Sequence, residues 1–116
     1  MSHGELKITN FLNSRLVLYN HQHWFKDCRS NIGKRQILKF DFYIPTKNLL
    51  IEYDGAQHFK QSKFGNHTIT KSELRDNQRR DRIKSKYARS KNIKLLRIKY
   101  TQINQIDDIL SSEFHD

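Results

Sequence analysis

A chain of 116 residues, 35% of them hydrophobic, can bury one core and is too short for several. Its single cysteine, Cys28, excludes a disulfide framework and is read as an inert thiol in a reducing cytoplasm. With 22 Lys and Arg against 12 Asp and Glu the formal charge is +10, which points to a polyanion, most simply nucleic acid; no apolar run reaches a membrane span and no signal-peptide core is present, so a cytoplasmic, membrane-free protein is expected.

The segment GELKITNFLNS sets Ile8, Phe11 and Leu12 at helical spacing, with Glu5 in the first turn where the helix dipole favours an acid. RLVLYNHQHWF then reads as a strand, Leu16, Leu18 and Asn20 on one face and Val17, Tyr19 and His21 on the other. His21 and His23, two apart, fall on one strand face, but no third ligand accompanies them and they are not read as a metal site. KDCRSNIGKRQ is expected to be a polar loop.

Next come two apolar runs interrupted by acids, KFDFYIPTKNLLIEYDGAQHF, from Lys39 to Phe59. A two-residue turn at Thr46 and Lys47, closed by Pro45 and Asn48, makes them a hairpin in which Asp41 faces Glu52. Alternation sends Phe40, Phe42 and Ile44 one way and Asp41 and Tyr43 the other; Leu49, Ile51 and Tyr53 share a face, and Leu50, Glu52 and Asp54 the opposite one. Asp41, Glu52 and Asp54 therefore share a face. Like charges opposite one another cost up to roughly 1 kcal/mol and raise the pKa of at least one acid, so a compensating divalent cation such as Mg²⁺ is expected. A basic protein that merely coats phosphate has no reason to gather carboxylates where phosphate approaches; one that hydrolyses phosphodiesters does.

After His58 a basic loop of about a dozen residues carries Lys60 and Lys63. Thr70 and Glu73 form a capping box that starts a helix of roughly five turns, stopping near Asn92 in the left-handed position. IKLLRIKY reads as a buried strand with Leu95, Leu96 and Ile98, and QINQIDDILSSEF as a last helix with Ile103, Ile106, Ile109 and Leu110 on one side. The order αβββαβα predicts one compact α/β domain, a mixed central sheet flanked by helices. Residues from Leu49 to Tyr100 form a parallel crossover if their two strands pair.

Five pieces together carry a resemblance over nearly the whole chain: Gly4-Glu5 opening the first helix, LKFDFYIP (Leu38 to Pro45), IEYDGAQHF (Ile51 to Phe59), DRIKSKY (Asp81 to Tyr87) and IKLLRIKY (Ile93 to Tyr100). The chain resembles the PD-(D/E)xK nuclease superfamily. Within it, the resemblance is to the branch of very-short-patch-repair endonucleases and phage-type homing endonucleases with an EDxHD active-site pattern. The resemblance implies a restriction-endonuclease-like fold and Mg²⁺- or Mn²⁺-dependent cleavage of DNA, in a phage, mobile-element or repair setting. It makes Asp41 the principal metal-binding acid, Glu52 the acid of the (D/E)xK element, His58 the histidine of the EDxHD pattern, Glu5 its first acid and Asp81 its last. Asp54 stands where that element normally has lysine, and where the patch-repair branch has histidine.

The expected chemistry follows from these residues. A metal on Asp41 with Glu52 or Asp54 would acidify a water and act as a Lewis acid. His58 would shuttle a proton or bind phosphate, and Gln57 would orient water. Lys84, on the helix face of Asp81, would replace the missing lysine; the alternative for Asp81 and Lys84 is a surface ion pair. Arg75, Arg79, Arg80, Arg82, Lys86 and Arg89 decorate the long helix and, with Lys60, Lys63 and Lys71, are expected to contact the nucleic-acid backbone. Base specificity would come from a homodimer, a partner protein or another domain. A catalytically silent nucleic-acid-binding module of the same fold, and a ribonuclease or structure-specific nuclease, are the competing readings.

Overall fold

The computed structural model describes residues 1–31, 33–56, 63–64 and 67–114, with the backbone alone at 63–64 and 67–68. Gln57, His58 and Lys60, and the side chain of Lys63, lie outside the described residues.

Helix α1 (His3–Ser14) opens on Ser2, whose hydroxyl accepts the Glu5 N–H at 3.2 Å. It ends where Leu16 takes a left-handed φ of 58°, the Leu16 N–H donating to Asn13 C=O at 3.1 Å and the Val17 N–H to Leu12 C=O at 3.0 Å. This closure is why the expected strand from Arg15 does not form there: 15–17 still terminate the helix, and Leu16 and Leu18 are exposed. Strand β1 (Asn20–Arg29) starts later and runs on through Lys26 to Arg29, the segment expected to be a loop. A register shift between Trp24 and Arg29 accompanies this extension, which buries the Cys28 side chain.

Strands β2 (Ile37–Ile44) and β3 (Leu49–Asp54) are antiparallel, with Phe42 opposite Ile51, Tyr43 opposite Leu50 and Ile44 opposite Leu49. The turn closes from Asn48 N–H to Pro45 C=O at 3.2 Å; Pro45–Lys47 adopt a 3-10 turn and Asn48 is left-handed. β4 (Lys63–Phe64) and β5 (His67–Thr68) pair as a small separate hairpin in the segment expected to be loop.

Helix α2 (Lys71–Ser90) is capped by Thr70, which accepts the Glu73 N–H at 3.1 Å. It closes through a left-handed Asn92, with the Ile93 N–H on Ala88 C=O at 2.9 Å. β6 (Lys94–Lys99) pairs parallel with β3, Glu52 opposite Arg97 and Asp54 opposite Lys99. As an edge strand it leaves Leu95 and Leu96 half-buried, so only Ile98 meets the expectation of a buried strand. The last segment divides into a 3-10 stretch (Tyr100–Gln105) and α3 (Ile106–Glu113).

The four-stranded mixed sheet has the order β1-β2-β3-β6. On one face α1 and α3 pack Ile8, Leu12, Ile106 and Leu110 against Phe42, Ile44, Leu49 and Ile51. On the other, α2 packs Ala88, Ile83 and Tyr87 against Leu38, Phe40, Leu50 and Cys28. The protein is thus an α/β domain with helices on both faces of a mixed sheet. Among the described residues no helix is long and apolar enough to cross a membrane.

Phe40 lies on the α2 face while Phe42 and Ile44 lie on the other, contrary to simple alternation along β2. β1 breaks its alternation at the same level: His21 packs on Phe42 with ring centroids 5.2 Å apart, but His23 stacks on Tyr43 at 4.6 Å, on the opposite face. Between the pairs His21–Phe42 and His23–Phe40 sit Gln22 and Asp41, and Gln22 has a left-handed φ of 55°. That backbone inversion turns the strand over, so the two histidines do not share a face.

Candidate active site

The distortion at Asp41 builds the site. One step beyond the Phe42–Ile51 pair, side chains take up backbone groups of the facing strand: Asp41 N–H donates to Glu52 Oε1 at 2.7 Å, and Tyr53 N–H donates to Asp41 Oδ2 at 2.7 Å. The two carboxylates are thereby held against one another at the level where β2 and β3 would next pair. Burial, and then the Glu52 charge, push Asp41 up to about 7 against the opposing pull of the Tyr53 N–H. Burial also raises Glu52, and Lys84 is the largest influence opposing it. The pair holds a proton near neutral pH because the cations nearby do not fully offset the loss of water.

Three elements surround this pair. From α2, Lys84 Nζ lies 3.1 Å from Glu52 Oε2 and 5.4 Å above the centre of the Phe40 ring. From β6, Arg97 Nη1 is 3.1 Å from Asp54 Oδ1 and 3.8 Å from Asp81 Oδ1, while Nη2 donates to the Asp81 carbonyl at 2.8 Å and to Ser85 Oγ at 3.0 Å. From α1, Glu5 lies 3.6 Å from His21 Nε2, and its charge contributes to raising Asp41. Gly4 admits α1 here: a Cβ on it would fall 2.2 Å from the Tyr53 ring. A cleft of about 240 Å³, lined by Glu5, Tyr53 and Tyr100 among others, opens beside them. With water occupying about 30 Å³ in the liquid, solvent reaches Glu5.

Glu52, Asp54 and Asp81 offer oxygens within 4.8 Å of one another. An all-carboxylate donor set suits a hard ion such as Mg²⁺ or Mn²⁺. The surplus of buried negative charge around Asp41 and Glu52 is of the sign that such an ion offsets. Sequence reasoning grouped Asp41 with Glu52 and Asp54; the structure groups Asp81 with those two and ties Asp41 to Glu52 through the backbone. It missed Arg97, Ser85 and the Glu5–His21 contact. The one available signal was an arginine inside an apolar strand, since a charge there is rarely buried unless paired.

The cations of α2 divide by exposure. Lys71, Arg75, Arg79, Arg82, Lys86 and Arg89 are exposed, while Arg80 is half-buried with Nη1 3.2 Å from Asn77 Oδ1. The exposed six follow intervals of four or three and share one helix face, about a third of a turn from Asp81.

No protein-family model and no curated protein matches the chain. Among solved structures it is similar to one described as "Homing Endonuclease I-Bth0305I Catalytic Domain", with a TM-score of 0.58 and 20% identity over 97% of this chain and 91% of that one. A likeness at that identity speaks for the fold: a mixed sheet flanked by helices, of the restriction-endonuclease-like kind.

Proposed function

We propose that this domain is a divalent-metal-dependent endonuclease that hydrolyses phosphodiester bonds in DNA. The observation that carries the reading is the Asp41–Glu52 pair, a half-buried and a buried carboxylate tied by reciprocal backbone hydrogen bonds beside Asp54 and Asp81 in a protein of net charge +10. The structural neighbour, named for a homing endonuclease, supports it by fold. A phage, mobile-element or repair setting belongs to the same reading.

Glu52, Asp54 and Asp81, with Asp41 adjacent, would hold Mg²⁺ or Mn²⁺. Bound there, the ion supplies an acidified water and neutralises charge on the phosphate oxygens. The chain's own groups do the rest. Asp41, near 7, gives up its proton as the pH rises and is then available as an acceptor for the attacking water. Lys84, whose Nζ lies 3.1 Å from Glu52 Oε2, would donate toward charge developing on the phosphate. Glu5, with His21, is assigned to position water from the α1 side. Gln57 and His58 keep their sequence-based roles in water and proton handling. Lys71, Arg75, Arg79 and Arg82, with Lys60, Lys63 and Arg80, are assigned to the phosphate backbone.

One observation favours a second reading, a silent binding module: Arg97 and Lys84 already pair with Asp54 and Glu52. Plasmid nicking separates the two. Wild-type protein should nick supercoiled plasmid with Mg²⁺ or Mn²⁺ and not with EDTA, and Asp41→Asn should abolish nicking while leaving DNA affinity equal or higher. Tight DNA binding without cleavage under either metal would establish the silent module instead.

A further inference from the structure

Arg97 meets the acidic group through Nη1 and is tied to α2 through Nη2 and Nε. Its Nη1 lies 3.1 and 3.3 Å from the two Asp54 oxygens and 3.8 Å from Asp81 Oδ1, while Nη2 and Nε donate to Ser85 Oγ at 3.0 and 3.3 Å. Nη2 also donates to the Asp81 carbonyl at 2.8 Å, which locks β6 to α2. Its charge extends to Glu52, where it acts with Lys84 against the upward push of burial. A guanidinium is a planar, permanently charged fork, so this is a positioned cation rather than a mobile one. Asp54 and Asp81 are two of the three residues whose oxygens cluster. A divalent ion and Arg97 therefore want the same oxygens.

We propose that Arg97 is the resident counter-ion of the site, a positioning residue that holds Asp54 and Asp81 together without metal and sets metal affinity by competing for their carboxylates. The inference rests on the metal-dependent reading above. A purely structural arginine would act differently, since its loss would loosen the site and weaken metal binding. Loss of a competitor tightens it.

The test is Mn²⁺ binding by calorimetry at pH 8, without nucleic acid, on wild type, Arg97→Gln and Arg97→Lys, with Tm measured with and without the ion. Arg97→Gln is expected to bind Mn²⁺ about tenfold tighter, the order of one charge-assisted contact on a carboxylate, and to melt lower without metal. Arg97→Lys keeps a charge but not the fork, and should fall between the two. If Arg97→Gln does not fold without metal, Arg97→Lys alone decides, with roughly threefold tighter binding expected. Wild-type binding with unchanged or weaker binding by the variants would overturn the competition and leave the nuclease reading intact. No Mn²⁺ binding by the wild type or by either variant would overturn both.

Discussion

Asp41 is held near a pKa of about 7 by burial and by Glu52, whereas in an unfolded chain it ionises near the ordinary value of 3.8. As the pH rises from 3.8 to 7, the unfolded chain ionises freely while the folded one must keep the proton, so this residue removes stability over that window and continues to do so above it. Asp41→Asn has no such cost. The variant should gain about 1–2 kcal/mol on wild type at pH 8, a figure reduced from the full shift because Glu52 takes part in the same titration, and almost nothing at pH 4. Urea midpoints at the two pH values check this; an equal effect at both would mean that Asp41 is not held protonated. The facing of Asp41 and Glu52 was legible because Pro45 and Asn48 close the turn that sets their register. Arg97 was not, because its partners come from β3 and α2, distant in sequence, and meet it only once the crossover has packed.

At the scale of elements, both ends of α2 were readable, whereas the end of α1 and the limits of β1 were not. Thr70 with Glu73, and Asn92, mark α2 through local hydrogen bonds that the residue types themselves make. Leu16 is left-handed without being glycine or asparagine, and Gln22 inverts inside a strand, so no residue type announced either place. The seat of α1 yields a prediction. Gly4→Ala gains up to about 1 kcal/mol of helix propensity, but its Cβ would meet the Tyr53 ring at 2.2 Å, and overpacking of that kind costs about 1–3 kcal/mol. Net destabilisation is expected, together with slower nicking as Glu5 moves with the helix. Adding Tyr53→Ala to Gly4→Ala should recover part of the loss, because the Tyr53 N–H that holds Asp41 belongs to the backbone. Strictly additive losses would show that the two do not press on one another.

For the whole molecule the question is which surface meets a polyanion when the net charge is +10. Six exposed cations lie along α2, and from Lys71 to Arg89 they cover about 27 Å at 1.5 Å per residue. The crossover carries α2 back from the end of β3 to the start of β6, and Arg97 fixes Asp81 and Ser85 at the level of the acids. Residues 71–80 therefore run past the acids by about 15 Å, and none of them is buried. Nucleic acid lying along the first half of this stripe would bring a phosphate to the carboxylates while the cations hold its neighbours. Removing one cation that neutralises a phosphate should lower the slope of log K against log salt by about 0.9 on a duplex. Arg75→Ala with Arg79→Ala should thus reduce the slope by nearly 2, measured by fluorescence anisotropy over a potassium chloride series. Arg80→Ala, half-buried and turned to Asn77, should change it less. A slope unaltered by the double substitution would place the substrate on another face, and the stripe would then be a solvated surface of a helix whose inner side alone serves the site.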